Sequence, residues 1–422
     1  MEHAKIMRRA QEAEVKMAAP SLWRNARFLC LWGASILTSF AFSIYLMTET
    51  WYVINGLDLD SKLGLILMMT TIPRVLLMAI GGVAADRFSR PLIMGISSLL
   101  RGALVLALAF LIAGGSGTLA VMFIFAFLFG VLDSFFWPAG GSLMPFLVGK
   151  DQLVRANSLL QTTNQLSFLA GPILAGAVIK FGSFQLSFVL AGVMILGSAL
   201  LVLFLKEKKH TLSADIPQKK GYLQDLKEGI LYVKKIRYLL IMMLTSVIVN
   251  FFLVGPMNAG MPLFVEGRLG GSILDLSLLE SFFAAGMLGG ALLTGIINFK
   301  KKRAVINLSL IGMMAISNSA FSQADMIFSA AALLAVTGIC ISMSNILGSS
   351  ISQAIVEPAM MGRVQSLMGT ASMGFIPLSY AGVAALLSFG ISISMIILIT
   401  SVLLLAWILI ILAAAKPIRN ID

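Results

Sequence analysis

Charged side chains are scarce in this sequence. Asp, Glu, Lys and Arg make up 12% of the 422 residues, about half the fraction usual for water-soluble domains. Such a chain is not wholly surrounded by water. Cysteine is scarcer still: Cys30 and Cys340 stand far apart, each inside an apolar run. Neither a disulfide framework nor a cysteine metal site is implied. The two histidines, His3 and His210, both lie in charged segments. No metal cluster and no catalytic triad is visible, so the chain does not read as an enzyme and implies no cofactor. A phosphate loop of the GxxxxGK[ST] type is absent, which argues against ATP bound to this chain as the source of energy. The first 17 residues, MEHAKIMRRAQEAEVKM, carry charge throughout and lack the apolar core of a cleaved signal peptide.

What the sequence has is apolar length. Hydrophobic residues make up 59%, and runs of about 20 recur, each able to cross a ~30 Å hydrocarbon core. Twelve spans are predicted, at 28–53, 62–84, 92–113, 118–147, 157–180, 183–205, 238–265, 274–297, 304–322, 326–350, 364–388 and 391–414. The expected fold is an all-α membrane protein with six spans in 28–205 and six in 238–414. A segment at 206–237 joins the halves, with 1–27 and 415–422 as tails.

The formal charge of +12 does not point to nucleic acid, because the basic residues sit in short segments between spans. The segments on the N-terminal side of the spans hold 26 of the 31 Lys and Arg. The other side holds only Lys62, Lys180 and Arg268, while Arg74 and Arg101 fall inside spans. By the positive-inside bias, both termini are expected in the cytoplasm, in a plasma or bacterial inner membrane. In the joining segment Leu223, Leu226, Ile230, Leu231 and Val233 recur at about helical spacing among lysines. That pattern predicts an amphipathic helix lying on the inner leaflet.

The two halves share weak internal similarity. GVAADRFSRPLI begins at Gly82 and GIINFKKKRAVI at Gly295, 213 positions later. Asn157-Ser158-Leu159 and Gln365-Ser366-Leu367 are 208 apart. Duplicated halves place a site at their interface in many transporters. The loop residues Gly82, Asp86, Arg87 and Arg90 resemble the loop motif of the major facilitator superfamily, with Ser89 where the family usually has Gly. Trp137-Pro138-Ala139, Pro145, Ala156 to Leu159, Gly171-Pro172 and Gly362-Arg363-Val364 resemble its macrolide-efflux and enterobactin-exporter branch. The resemblance implies alternating access, often driven by proton antiport. It also implies a cytoplasmic latch at Asp86 and Arg87, for which ordinary positive-inside loop chemistry is the alternative. Gly171, Pro172 and Gly176 partly match the family's antiporter motif, although such small residues also serve plain helix packing.

Ionisable groups within spans are costly and are functional candidates by default. Ser35, Thr38, Phe42, Tyr45 and Glu49 recur at helical spacing in span one, so they share a face. A polar and aromatic stripe ending in a carboxylate suits a helix lining a water-filled cavity. Glu49 is a candidate for proton exchange or cation attraction; alternatively it sits at the headgroups beside Trp51 and Tyr52. Asp133 is expected to pair with Arg101 or Arg74, since an unpaired charge at that depth is far more expensive. The pair is either structural or broken and remade during transport. Glu280, Asn250, Asn258 and Asn345 are further cavity candidates, and Gly255-Pro256 and Pro262 should bend span seven.

The reading that follows is a monomeric secondary transporter exporting a small amphipathic molecule, with protons as coupling ion and the lipid bilayer as its surroundings. Uptake of a metabolite, or a membrane sensor or assembly role, are the alternatives.

Overall fold

A computed structural model describes residues 22–148, 152–205, 222–297, 299, 301–357 and 360–414. Twelve membrane-length helical stretches follow one another, and no strand occurs among the described residues. They are α1 (Ala26–Trp51), α2 (Leu63–Arg87), α3 (Arg90–Ala113), α4 (Leu119–Leu147), α5 (Leu153–Phe181), α6 (Phe184–Leu203), α7 (Arg237–Gly267), α8 (Ile273–Ile297), α9 (Arg303–Phe321), α10 (Ile327–Ile355), α11 (Met361–Gly374 and Ile376–Ser388) and α12 (Ile393–Ala414). Eleven of them are long and apolar enough to cross a membrane. The exception is α5, which is long enough at 29 residues but less apolar. Its first half carries Gln161, Thr162, Thr163, Asn164 and Gln165, and neighbours answer part of this polarity. Trp32 Nε1 of α1 donates to Thr163 Oγ1 at 2.9 Å, and Ser39 Oγ donates to Asn164 Oδ1 at 2.6 Å.

Caps and breaks follow local chemistry. Asn25 accepts from the Phe28 amide at the start of α1, Thr118 caps α4, and Ser183 caps α6. Helix α7 bends as its glycine and prolines require. It passes through a π-turn at Asn250–Val254, resumes at Gly255–Asn258, and restarts at Gly260–Gly267. Helix α11 breaks at Phe375, because Pro377 cannot donate in a helix interior but fits a first turn.

Within each half the same helix pairs meet. α2 packs on α4 and α3 on α6; correspondingly, α8 packs on α10 and α9 on α12. In the second half Gly286 and Gly290 lie against the α10 backbone at Ala335 and Ile339, and Gly338 lies against Phe283 of α8. Small residues allow such approach where lipid removes any hydrophobic drive between helices. The repeat seen in the loops is thus a repeat of packing.

The core is continuous at one end of the molecule and divided at the other. One cluster joins Tyr45, Ile66 and Phe129 of the first half to Phe264, Leu276, Tyr380 and Ile396 of the second. At the end bearing the basic loops the core is two separate clusters. One holds Leu22, Phe28, Met94 and Leu143; the other holds Val233, Leu239, Leu308 and Val364. The buried core thus runs across both halves at the sparsely charged face and is split into separate clusters, one in each half, towards the basic face.

The helix expected in the joining segment is present at Tyr222–Lys235; residues 206–221, and the side chains of Leu223 and Leu226, lie outside the described residues. It does not simply rest on a lipid surface. Val233 is buried in the second half's core, Glu228 pairs with Arg363 of α11 at 2.9 Å, and the Glu357 amide donates to Tyr232 Oη. Its apolar side is answered by protein, while Leu231 remains exposed.

Candidate functional site

The candidate site grows from α1, α2, α3 and α4 in the first half. Tyr45 and Glu49 stand one turn apart on α1, and Tyr45 Oη donates to Glu49 Oε1 at 2.7 Å. Both are sealed: Glu49 is 0% and Tyr45 1% exposed. Glu49 Oε2 has no hydrogen-bond partner among the described residues. Tyr45 stacks on Phe129 of α4 with ring centroids 4.4 Å apart and planes 5° from parallel. Phe129 in turn lies 5.7 Å from the Arg101 guanidinium of α3, which also stands 4.5 Å from the Phe136 ring. These distances suit cation–π attraction in a desolvated setting.

Asp133 is one turn from Phe129 on α4 and takes both arginines. Arg101 Nη1 donates to Oδ1 at 2.5 Å, and Arg74 Nε lies 3.3 Å from Oδ2. The first contact is a hydrogen-bonded ion pair; the second is an ion pair without hydrogen-bond alignment. Arg101 is 1% exposed and also reaches Ser98 Oγ at 3.4 Å, but its Nε has no hydrogen-bond partner among the described residues. The Arg74 side chain is 31% exposed and lies over the Phe42 ring at 5.9 Å. Two cations thus share one carboxylate, leaving one positive charge in excess.

The α1 stripe does not line an open cavity along its length. Thr38 Oγ1 meets Ser198 Oγ of α6 at 2.7 Å, and Tyr45 faces Phe129 of α4 and Phe188 of α6 inside the first half. Helical periodicity groups residues on a face but does not name the neighbour that the face meets. Ser35 and Phe42 are half-buried. Glu49 is enclosed by protein.

Asn250 Nδ2 donates to its own helix at the Ser246 carbonyl, 2.8 Å away, where the π-turn begins. Asn258 is exposed and donates to Tyr380 Oη of α11 at 2.9 Å. Asn345 lines a recess of about 400 Å³ with Ser349, Ser350 and Gln353. Glu280 is half-buried on α8, beside Ser281, whose hydroxyl reaches the Leu169 carbonyl of α5 at 3.2 Å.

The glycines of α5 have separate duties. A Cβ at Gly171 would strike Ser43 of α1, within the half. A Cβ at Gly176 would strike Ser277 of α8, across the halves. Ser277 Oγ lies 2.8 Å from the Pro172 carbonyl and 2.8 Å from that of Ile273. On the other flank, Gly64 of α2 admits the backbone of Tyr380. These close approaches form two seams at the sealed end.

In the loop motif, Arg90 opens α3, donates from Nε to Ser142 Oγ of α4 at 3.2 Å and stands 4.3 Å over the Phe146 ring. Arg87 ends α2 and is exposed. Gly82 has open space around it, and the Asp86 side chain lies outside the described residues.

Sequence reasoning missed Phe129, Ser198 and Tyr380. Phe129 carried a signal, since it stands four residues before Asp133 on one helical face; the other two did not.

A sequence model of the Major Facilitator Superfamily matches residues 31–379. The chain belongs to this superfamily. It is 23% identical over 348 residues to macrolide efflux protein A of Streptococcus pyogenes, covering 82% of this chain and 85% of the relative. It is 24% identical to the MFS-type transporter YkuC of Bacillus subtilis (strain 168), covering 82% of each. The superfamily fold is shared with the nucleoside transporter NupG, at a TM-score of 0.72 and 16% identity over 92% of this chain and 99% of that one. A bacterial homologue of the lysosomal transporter Spinster matches at 0.69 and 15% identity, over 94% and 99%. As a superfamily member, the chain is a multi-pass membrane transporter.

Proposed function

We propose that this transporter exports a small amphipathic molecule by alternating access, in exchange for protons. The observation that carries the reading is the divided core. A molecule whose halves are sealed at one end and parted at the other has one half of an alternating cycle already in place. The bias of Lys and Arg supports a cytoplasmic basic face, with both termini there, so a cleft opening on that face would meet the compartment from which an exporter loads. Residues 28–205 and 238–414 are the two rocking bodies, joined by 206–237, and one chain suffices.

The similarity to proteins named for macrolide efflux supports the outward direction and an amphipathic cargo. Glu49 is the proposed proton carrier. It is an acid enclosed by protein, bonded to Tyr45 and linked through Phe129 to the arginine pair, so a change in its protonation would be felt by the Arg101–Asp133–Arg74 cluster. Asp86, Arg87 and Arg90 are the proposed latch for the opposite state.

Everted membrane vesicles with a preformed inside-acid gradient test this. A panel of lipophilic cations, lipophilic anions, macrolides and siderophores is added and proton release is followed with a fluorescent probe. Release that depends on a compound and on the wild-type chain supports export by antiport. Accumulation in intact cells, with none in everted vesicles, would establish uptake instead.

A further inference from the structure

Helix α7 interrupts its own hydrogen-bond ladder at Phe251, and a side chain from another helix fills the gap. In an unbroken α-helix the Gly255 amide would donate to the Phe251 carbonyl, four residues back. Here it donates to Ser379 Oγ of α11 at 2.8 Å, and Ser379 Oγ donates in turn to the Phe251 carbonyl at 2.5 Å. The hydroxyl stands as an extra link between a donor and an acceptor that would otherwise meet. In the π register the donor to Phe251 would be Pro256, which has no N–H. Ser379 thus supplies the proton that neither register gives Phe251. Insertion of a side chain into the ladder bends a helix. The approach also requires Gly255, since a Cβ there would strike both Oγ and the carbonyl of Ser379. Gly255 and Ser379 are both buried.

The next residue on α11 meets the other half. The Tyr380 carbonyl lies where Gly64 of α2 makes room for it. Beyond the bend, Asn258 Nδ2 of α7 donates to Tyr380 Oη at 2.9 Å. Ser379 and Tyr380 thus tie the bend of α7 to the seam between α2 and α11. If α11 draws back from α7, no buried polar group need be left over. Gly255 can then donate to Phe251 directly. Ser379 can donate to the Phe375 carbonyl, which its own amide already meets at 3.0 Å. Two hydrogen bonds exist before the exchange and two after it, so the penalty of an unpaired buried group does not arise.

We propose that Ser379 is a positioning residue of the transport cycle. Its hydroxyl, spliced into α7, holds the bend that fits the state sealed between α2 and α11, and it leaves the ladder when the halves part there. This rests on the alternating-access reading and names the hydrogen-bond exchange that accompanies one of its steps. Ser372 provides the contrast: its Oγ meets Ser246 Oγ of α7 at 2.6 Å, side chain to side chain, without entering the ladder.

Two cysteine reporters test this in the full chain with Cys30→Ser and Cys340→Ser, purified into lipid nanodiscs. Ser281→Cys reports the seam between α5 and α8, on a different pair of helices from Ser379. Thr162→Cys reports the opposite end. Thr162 is exposed and shares the α5 face on which Leu169 and Gly176 meet α8, so closure at the basic end should cover it. The rate of each cysteine with a membrane-impermeant thiol reagent is measured. Ser379→Ala adds no bulk and deprives Gly255 and Phe251 of their shared partner in the sealed state alone. Ser281→Cys should then react about threefold or more faster, and Thr162→Cys slower by a comparable factor. Ser372→Ala should leave both rates near those of the parent chain. Faster reaction at both ends would make Ser379 a mere support of the fold and overturn the proposal. Unchanged rates, or the same opposed shift from Ser372→Ala, would overturn it too. Faster reaction at Ser281→Cys with no change at Thr162→Cys would instead count against alternating access, while the splice stood as the seal of one face.

Discussion

Tyr45 donates its phenol proton to Glu49, 2.7 Å away on the same helix, and both side chains are sealed from solvent. The second carboxylate oxygen has no hydrogen-bond partner among the described residues. An acid so placed has few ways to exchange a proton with water in this state.

Glu49→Gln tests that placement. The amide keeps the shape and can still accept from Tyr45, so folding should be retained. Compound-induced proton release in everted vesicles should be lost. Release at the wild-type level from Glu49→Gln would remove Glu49 from the coupling role.

Asp133→Asn should act on stability first. It leaves Arg101, almost fully buried, beside Arg74 without a carboxylate. Breaking a buried pair in this way costs about 3–5 kcal/mol. Adding Arg101→Met should recover part of the loss. Thermal unfolding in detergent of the single and double variants reads both effects.

Gly176→Val should force the sealed face apart, because a Cβ there meets Ser277 of the opposite half. In a chain with Cys30→Ser and Cys340→Ser, a cysteine introduced at Ser281 should react faster with a membrane-impermeant thiol reagent when Gly176→Val is present. Gly171→Val meets Ser43 within its own half, so it should destabilise the first half without raising that reactivity.

The joining helix offers a contrast between charge and packing. Glu228→Gln removes a partly exposed ion pair with Arg363, worth less than about 1 kcal/mol. Val233→Asp puts a charge into the second half's core and should cost about 3 kcal/mol or more. Thermal unfolding of the two variants should separate them clearly.

By itself the sequence determined where helices run. Apolar length and the placement of glycine and proline are local properties, and the predicted spans differ from the observed helices by a few residues at their ends. The same local chemistry announced the bend in α7. Cost alone dictated that Asp133 must have a cationic partner. Only the tertiary structure decided that it has two, that Thr38 meets Ser198 rather than a cavity, and that Glu49 is enclosed. A helical repeat sets the angle between residues on one helix, whereas the neighbour met by each face depends on how twelve helices pack. The close approach of Gly64 to the Tyr380 backbone lies furthest from the sequence. The two are 316 positions apart, on helices brought together only by tertiary packing, so no local pattern announces it.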